Sequence, residues 1–272
     1  MDKIALHLPY DFLALKPKKL RKGDSLVRAG DNWDGGYVIP ASVVSRIKSI
    51  VSYGLGNNFS FERDIHRWHR NIPIHVYDHS VTFKSMLFDV LTSVRNLRSF
   101  ENFRFKVSQI KGRILYIFSY MSFFHFTKGV RHFRYEVVRD RESIEQIAIL
   151  ETFASVGDGV LLKMDIEGGE YETILEILNT PKSIEAICIE FHHVVTHRDK
   201  FIQIVDLLSH DFSIVHFHVN NAGRVFENIP DILELTFTKN DYVDSATIDT
   251  DLPLMSLDYA NSPGKSDYRV IF

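Results

Sequence analysis

A single cysteine among 272 residues, Cys188, excludes any internal disulfide. It lies in an apolar strand pattern and reads as a small core residue rather than a nucleophile. Strong charge of either sign is also missing, since the formal net charge is −3. A general nucleic-acid binder needs a basic field to draw in phosphates, so no nucleic-acid partner is expected. The apolar and aromatic run Ile114 to Phe126 is only thirteen residues long, short of the roughly 20 that cross a bilayer. Residues 1 to 20 hold no continuous apolar core flanked by a small-residue cleavage site, which sets the expectation of a cytoplasmic protein.

What is present suits a globular α/β chain. Hydrophobic residues make up 45% and charged residues 25%, and 21 phenylalanines point to an apolar surface or pocket. One domain over 1–272 can bury a full core. It would carry an N-terminal arm and hairpin over 1–46 and an aromatic, basic insert over about 100–132.

The organising stretch runs from Val160 to Tyr171. Val160 to Met164 suit a strand buried on both faces of a parallel sheet. Asp165, Glu167 and Glu170 follow around Gly168 and Gly169, and Tyr171, Ile174, Leu175 and Leu178 then space as the apolar stripe of a helix. Ligand crevices in open α/β sheets lie outside the carboxyl ends of the strands, so these acids stand where chemistry is expected. Glu167 and Glu170 admit a second reading, as complements to the helix N-terminus worth about 0.5 kcal/mol each.

Ile47 to Tyr53 form a first strand that runs into Gly54-Leu55-Gly56, with Ser60 placed to cap the next helix. The second strand, Ile72 to Tyr77, ends on Asp78, 22 residues past Gly56. A carboxylate at that distance from a glycine turn can accept from both hydroxyls of a ribose. Before this unit, residues 1 to 30 read as an irregular arm, and Asp34-Gly35-Gly36 as the turn of a hairpin or a lid. After it come a helix from Ser80 or Thr82 to about Val94 and a third strand, Phe133 to Val138. A helix with capping-box spacing at Ser143 and Gln146 runs to about Ala154. Pro181 closes the helix after the acidic loop, and a fifth strand spans Ile184 to Phe191. The chain continues with a helix from Thr196 to Ser209 and strands Ser213 to Val219 and Ile232 to Lys239, joined as an antiparallel hairpin. Seven strands in this order predict a doubly wound, Rossmann-like sheet, mostly parallel with an antiparallel last strand and helices on both faces. That is the architecture of the class I methyltransferases.

The run Ile114 to Phe126 is flanked by Lys106, Lys111, Arg113, Lys128, Arg131 and Arg134. It reads either as a peripheral contact, over 106–134, with an anionic membrane or a lipid-linked acceptor, or as an insertion packed on the core or on a partner subunit, with a homo-oligomer as one outcome.

Tyr53-Gly54-Leu55-Gly56, Lys163-Met164-Asp165-Ile166-Glu167-Gly168-Gly169-Glu170-Tyr171 and Glu190-Phe191-His192-His193 resemble the FkbM-type S-adenosylmethionine-dependent methyltransferases. Asp34-Gly35-Gly36-Tyr37 is similar to a segment near the start of one branch of that family. The resemblance implies S-adenosylmethionine as methyl donor and O-methylation of a sugar, glycan or other hydroxylated small molecule. It implies that Tyr53, Gly54, Gly56, Asn58 and Phe59 approach the cofactor's methionine part, that Asp78 holds its ribose, and that Asp165 and Glu167 face its reactive end. Ser52 stands where many methyltransferases carry an acid before the glycine loop, and Asp165 is the expected substitute.

A base near neutral pKa suits a sugar hydroxyl. His192 is the expected base, oriented by Glu190 or Glu234, with His218 as the second candidate. Asp165, Glu190, His192 and His218 are alternatively ligands for a divalent metal, although no close-spaced ligand signature accompanies them. Two readings compete with methyl transfer. One is an NAD-dependent oxidoreductase using Gly54, Gly56 and Asp78, though its third glycine is replaced by Phe59. The other is a non-enzymatic scaffold that binds a membrane or partner through the aromatic insert.

Overall fold

The computed structural model describes residues 3–95, 103–178, 183–248 and 251–272. Seven strands form the central sheet and are numbered in chain order: β1 (Ser49–Tyr53), β2 (Ile74–Tyr77), β3 (Val130–Phe133), β4 (Val160–Met164), β5 (Ile184–Phe191), β6 (Phe212–Val219) and β7 (Leu233–Lys239). Their order across the sheet is β6-β7-β5-β4-β1-β2-β3. β7 runs antiparallel to both β5 and β6, and the other pairings are parallel. This is the Rossmann-like α/β arrangement of the class I methyltransferases.

Alternation along the buried strands creates two apolar layers. Val160, Leu162 and Met164 of β4 face a core shared with the helices Ile149–Ala154, Glu170–Ile177 and Arg198–Ser209. Leu161 faces the other core, which is covered by the helix Ser60–Trp68, the hairpin Leu26–Ala29/Tyr37–Pro40 and the helix Phe103–Phe126. Cys188 belongs to this second layer, fully buried, and burial pushes its thiol up to about 12, which makes it inert. The chain winds from β1 toward β3 in one direction and from β4 toward β5 in the other, so the tips of β1 and β4 flank the topological switch point.

Several local expectations are corrected. The third strand is Val130–Phe133; Glu136–Val138 instead pairs in parallel with Gln146–Ala148 in a separate two-stranded ribbon. The helix expected from Ser143 therefore starts only at Ile149. Ser60 is the first residue of its helix and not the cap; Asn58 Oδ1 accepts its amide, and its hydroxyl accepts from Asp31 N. The arm is ordered: Ile4–His7 pairs with Tyr268–Ile271, and Lys18–Leu20 with Val243–Thr247. Each partner is more than 220 residues away, beyond the reach of local pattern. Residues 220–232 between β6 and β7 fold as a small ribbon of their own, Val225–Phe226 against Ile229–Pro230, so that joint is not tight. Pro181 lies outside the described residues.

The aromatic insert is a helix pair, Phe83–Arg95 and Phe103–Phe126, in mutual contact. Thr82 and Ser85 cap the first helix reciprocally, Oγ1 of Thr82 accepting from Ser85 N and Oγ of Ser85 from Thr82 N, both at 2.9 Å. Tyr120, Phe123 and Phe124 of the second helix are buried around Phe59.

Candidate active site

The tips of β1 and β4 touch at Gly54. Its φ is +77°, and a Cβ there would lie 1.6 Å from the carbonyl oxygen of Asp165, so only glycine lets the two strand ends meet. Asp165 N donates to Tyr53 O at 3.0 Å and Gly54 N to Tyr77 O at 3.1 Å, which extends the ladder into the loop. Beneath it Lys163, 4% exposed, donates from Nζ to Gly54 O at 2.5 Å and stands 3.6 Å from Asp165. Burial lowers the lysine's pKa, but the charges of Asp165, Glu62 and Glu190 outweigh it, and the net shift is upward.

A cavity of about 690 Å³ opens over this junction. Gly54, Gly56, Asn58, Asp78, Asp165 and Glu167 line it, together with Asp34 and Gly35 of the N-terminal hairpin and Lys163. Asn58 Nδ2 donates to Asp34 O at 2.8 Å and ties the hairpin over the glycine loop. Two expected cofactor contacts stand elsewhere. Tyr53 is fully buried under the sheet, with its hydroxyl 2.5 Å from Thr152 Oγ1. Phe59 stacks on Phe123 at 5.3 Å within the insert. Both belong to cores that residue spacing alone does not assign to a face.

Asp78 is occupied by its own loop. Oδ2 accepts from Leu55 N at 2.8 Å and Gly56 N at 3.0 Å; Oδ1 accepts from Ser80 N, Ser80 Oγ and Val81 N. Burial raises its pKa, the hydrogen bonds lower it more, and the net direction is down. Five donors fill the roughly four lone-pair positions of a carboxylate. A ribose diol at

Behind Asp165 stands a buried charge cluster. Glu190 and Glu234 sit directly opposite each other across β5 and β7, and His218 opposite Glu234 across β6 and β7. Asn220 Nδ2 donates to Glu190 at 2.6 Å and Asn261 Nδ2 to Glu234 at 2.5 Å. Burial, then the charges of Asp165 and Glu234, hold Glu190 well above the usual carboxylate range, and Asp34 is raised for the same reasons. His192 Nδ1 lies 2.9 Å from Glu170 Oε1, and its Nε2 lies 3.6 Å from Glu167 and 3.9 Å from Glu190. Desolvation pulls this imidazole down, but the Glu170 hydrogen bond and the charges of Glu190, Glu170 and Asp165 lift it to about 9.

The roles expected of these residues change accordingly. His192 is a cation at neutral pH and not a free base, and Glu170 orients it in place of Glu190 or Glu234. Glu170 is fully buried and Oε1 also accepts from Ile166 N and Gly168 N, so it shapes the acidic loop rather than only complementing a helix end. Glu167 sits at φ +54° with its side chain 87% exposed at the cavity rim. His218, raised to about 10 against burial by Asp267 and Glu234, is locked between those two acids away from the cavity. For metal ligation, Asp165, Glu190 and His192 present atoms within 4.8 Å of one another, as do Asp34, Glu190 and Glu234; His218 joins neither set. Lys163, Asp34, Asn220 and Asn261 were not expected in the site. A lysine inside an otherwise apolar central strand is a legible signal for the first; the asparagines reach the site only through tertiary folding.

No protein-family model and no curated protein matches the chain. Similar solved structures include a Methanococcus jannaschii fibrillarin pre-rRNA processing protein (TM-score 0.39, 8% identity, covering 82% of this chain and 87% of that one). A predicted O-methyltransferase from Agrobacterium tumefaciens gives TM-score 0.36 and 11% identity over 84% and 97% of the two chains. A precorrin-6y C5,15-methyltransferase from Geobacter metallireducens gives 0.37 and 10% over 73% and 87%. At such scores the fold assignment rests on this chain's own strand order.

Proposed function

We propose that the chain is an S-adenosylmethionine-dependent O-methyltransferase of the FkbM type, acting on a hydroxyl of a sugar, glycan or related metabolite. One observation carries the choice of cofactor. The cavity at the switch point is acidic, with Asp34 and Asp165 on its wall and Glu190 and Glu234 behind them, while the Leu55 and Gly56 amides are spent on Asp78. A dinucleotide brings an anionic pyrophosphate that needs free amides at such a turn. A molecule with a sulfonium and an ammonium group meets carboxylates instead, and about 690 Å³ lies within the range of small-molecule pockets. The sheet agrees, because its seventh strand is antiparallel whereas the dinucleotide-binding sheet is mostly parallel.

S-adenosylmethionine, when bound, supplies an electrophilic methyl carbon for in-line displacement. The protein's share is alignment and proton handling, and alignment is worth several kcal/mol. Asp165, on the cavity wall, accepts the hydrogen bond of the acceptor hydroxyl and takes its proton as the oxygen gains the methyl group. Glu190 behind it, high in pKa, is a second station for that proton, and His192, held as a cation by Glu170, keeps the pair of carboxylates together. Asp34 and Gly35 cover the cavity from the hairpin and exclude water.

Thermal denaturation with S-adenosylhomocysteine or with NAD tests the reading, since a ligand bound only by the native state raises the melting temperature. The homocysteine compound is expected to raise it and NAD to leave it unchanged. A rise with NAD alone overturns the proposal. Transfer of labelled methyl to free sugars, sugar nucleotides or glycans then identifies the acceptor.

A further inference from the structure

The helix pair Phe83–Arg95 and Phe103–Phe126 buries one side and leaves an apolar side uncovered. In the first helix Met86 and Val90 are buried, while Phe83, Leu87, Leu91 and Val94 recur at helical spacing and stand exposed. In the second, Tyr120, Phe123 and Phe124 pack inward, while Ile114, Leu115 and Phe118 face out, Phe118 at 69% exposure. Monomeric proteins seldom expose large side chains in such numbers on one feature unless something covers them. The surrounding charge says what does. Residues 83–134 hold ten Lys and Arg against two acids, a surplus of eight in a chain whose total is −3.

We propose that this helix pair is a docking surface for an anionic lipid bilayer. Aromatic and aliphatic side chains enter the interface while lysines and arginines meet lipid phosphates. No helix among the described residues is long and apolar enough to cross a membrane, which suits a helix pair lying on the surface. A second copy of the chain fits the same face poorly. A two-fold contact presents one patch to itself, and this patch would set like charges against each other. Docking also has a consequence for the cavity. Tyr116 of the same helix reaches Gly56 O at 3.5 Å and packs on Phe59 next to the glycine loop, so the cavity comes to lie beside the lipid. The corollary that a lipid-linked acceptor enters from that side rests on the proposed function; docking itself does not.

The experiment is sedimentation of the full chain with vesicles of phosphatidylcholine alone and with phosphatidylglycerol added, at low and high salt. The expected result is binding to the anionic vesicles only, weakened by salt. Leu115→Asp with Phe118→Asp, both at exposed positions, is expected to cut binding at least tenfold. Lys111→Glu with Lys128→Glu is expected to do the same, with melting temperatures and the S-adenosylhomocysteine response unchanged in both. Failure to sediment with either vesicle, or binding undiminished in both variants, overturns the proposal. So does a dimer in sedimentation velocity that the Leu115/Phe118 variant converts to monomer. Each of these outcomes leaves cofactor binding as a separate question, read in the thermal assay without vesicles.

Discussion

Nδ1 of His192, at the end of β5, donates to Oε1 of Glu170, at the start of the following β4 helix, across 2.9 Å of buried space. The same oxygen accepts two amides of the acidic loop. One carboxylate thus shapes the backbone that presents Asp165 and also fixes the charge and tilt of the histidine behind it.

That pairing has a pH signature. His192 is raised from 6.5 to about 9 in the folded state, so its contribution is fully present below pH 6.5 and fades as pH rises through 9. Its size is at most on the order of 3 kcal/mol. In Glu170→Gln the amide oxygen still accepts but the charge is gone. The histidine pKa is expected to fall by more than one unit in an NMR titration. The decline of melting temperature between pH 6.5 and 9 is expected to flatten.

Gly54 and Gly56 both adopt positive φ, yet they differ in surroundings. A Cβ at Gly54 meets the Asp165 carbonyl at 1.6 Å, while one at Gly56 meets nothing within 4 Å. Gly56→Ala is expected to cost only the backbone strain, about 1–2 kcal/mol. Gly54→Ala must also part β1 from β4. It is expected to lower the melting temperature further and to weaken S-adenosylhomocysteine binding at least tenfold by calorimetry, where Gly56→Ala changes it little.

The contrast between those glycines marks how far the chain was legible without coordinates. β4 and β5 were readable to the residue, because strands buried on both faces are unbroken apolar runs. β3 was misplaced by three residues, since an edge strand pairs on one side only and Val-Arg-His-Phe carries little pattern. Gly54, Asp78 and Asp165 were visible as punctuation at strand ends. What Asp78 does was not visible, because its donors are backbone amides that no side-chain pattern reports. The titration of His192 was equally hidden: a near-neutral base was expected, and four carboxylates gathered from three separate segments make it a cation.

Asp78→Asn tests the occupied carboxylate. An asparagine side chain presents one acceptor oxygen and turns its NH2 group toward amides that need an acceptor. At least two of the five hydrogen bonds are lost, at about 1–3 kcal/mol for each buried donor left unpaired. Thermal denaturation of the free protein is expected to show the loss. A variant with native stability but weakened S-adenosylhomocysteine binding would instead return Asp78 to the ribose.

Asp165 is the only one of the carboxylates placed both on the cavity wall and within ligand distance of Glu190 and His192. Asp165→Asn keeps its shape and removes its capacity for a proton. Its charge raises Asp34 and Glu190 and also raises Lys163, so the loss relieves repulsion on one side and removes attraction on the other. Stability is expected to change by less than about 1 kcal/mol. Methyl transfer is expected to fall by about 10²–10³, the usual share of a general base, with S-adenosylhomocysteine binding weakened by less than tenfold. Single-turnover kinetics beside calorimetry separates the two. If transfer persists while Glu190→Gln abolishes it, the proton goes to the buried glutamate directly, and Asp165 only positions the acceptor.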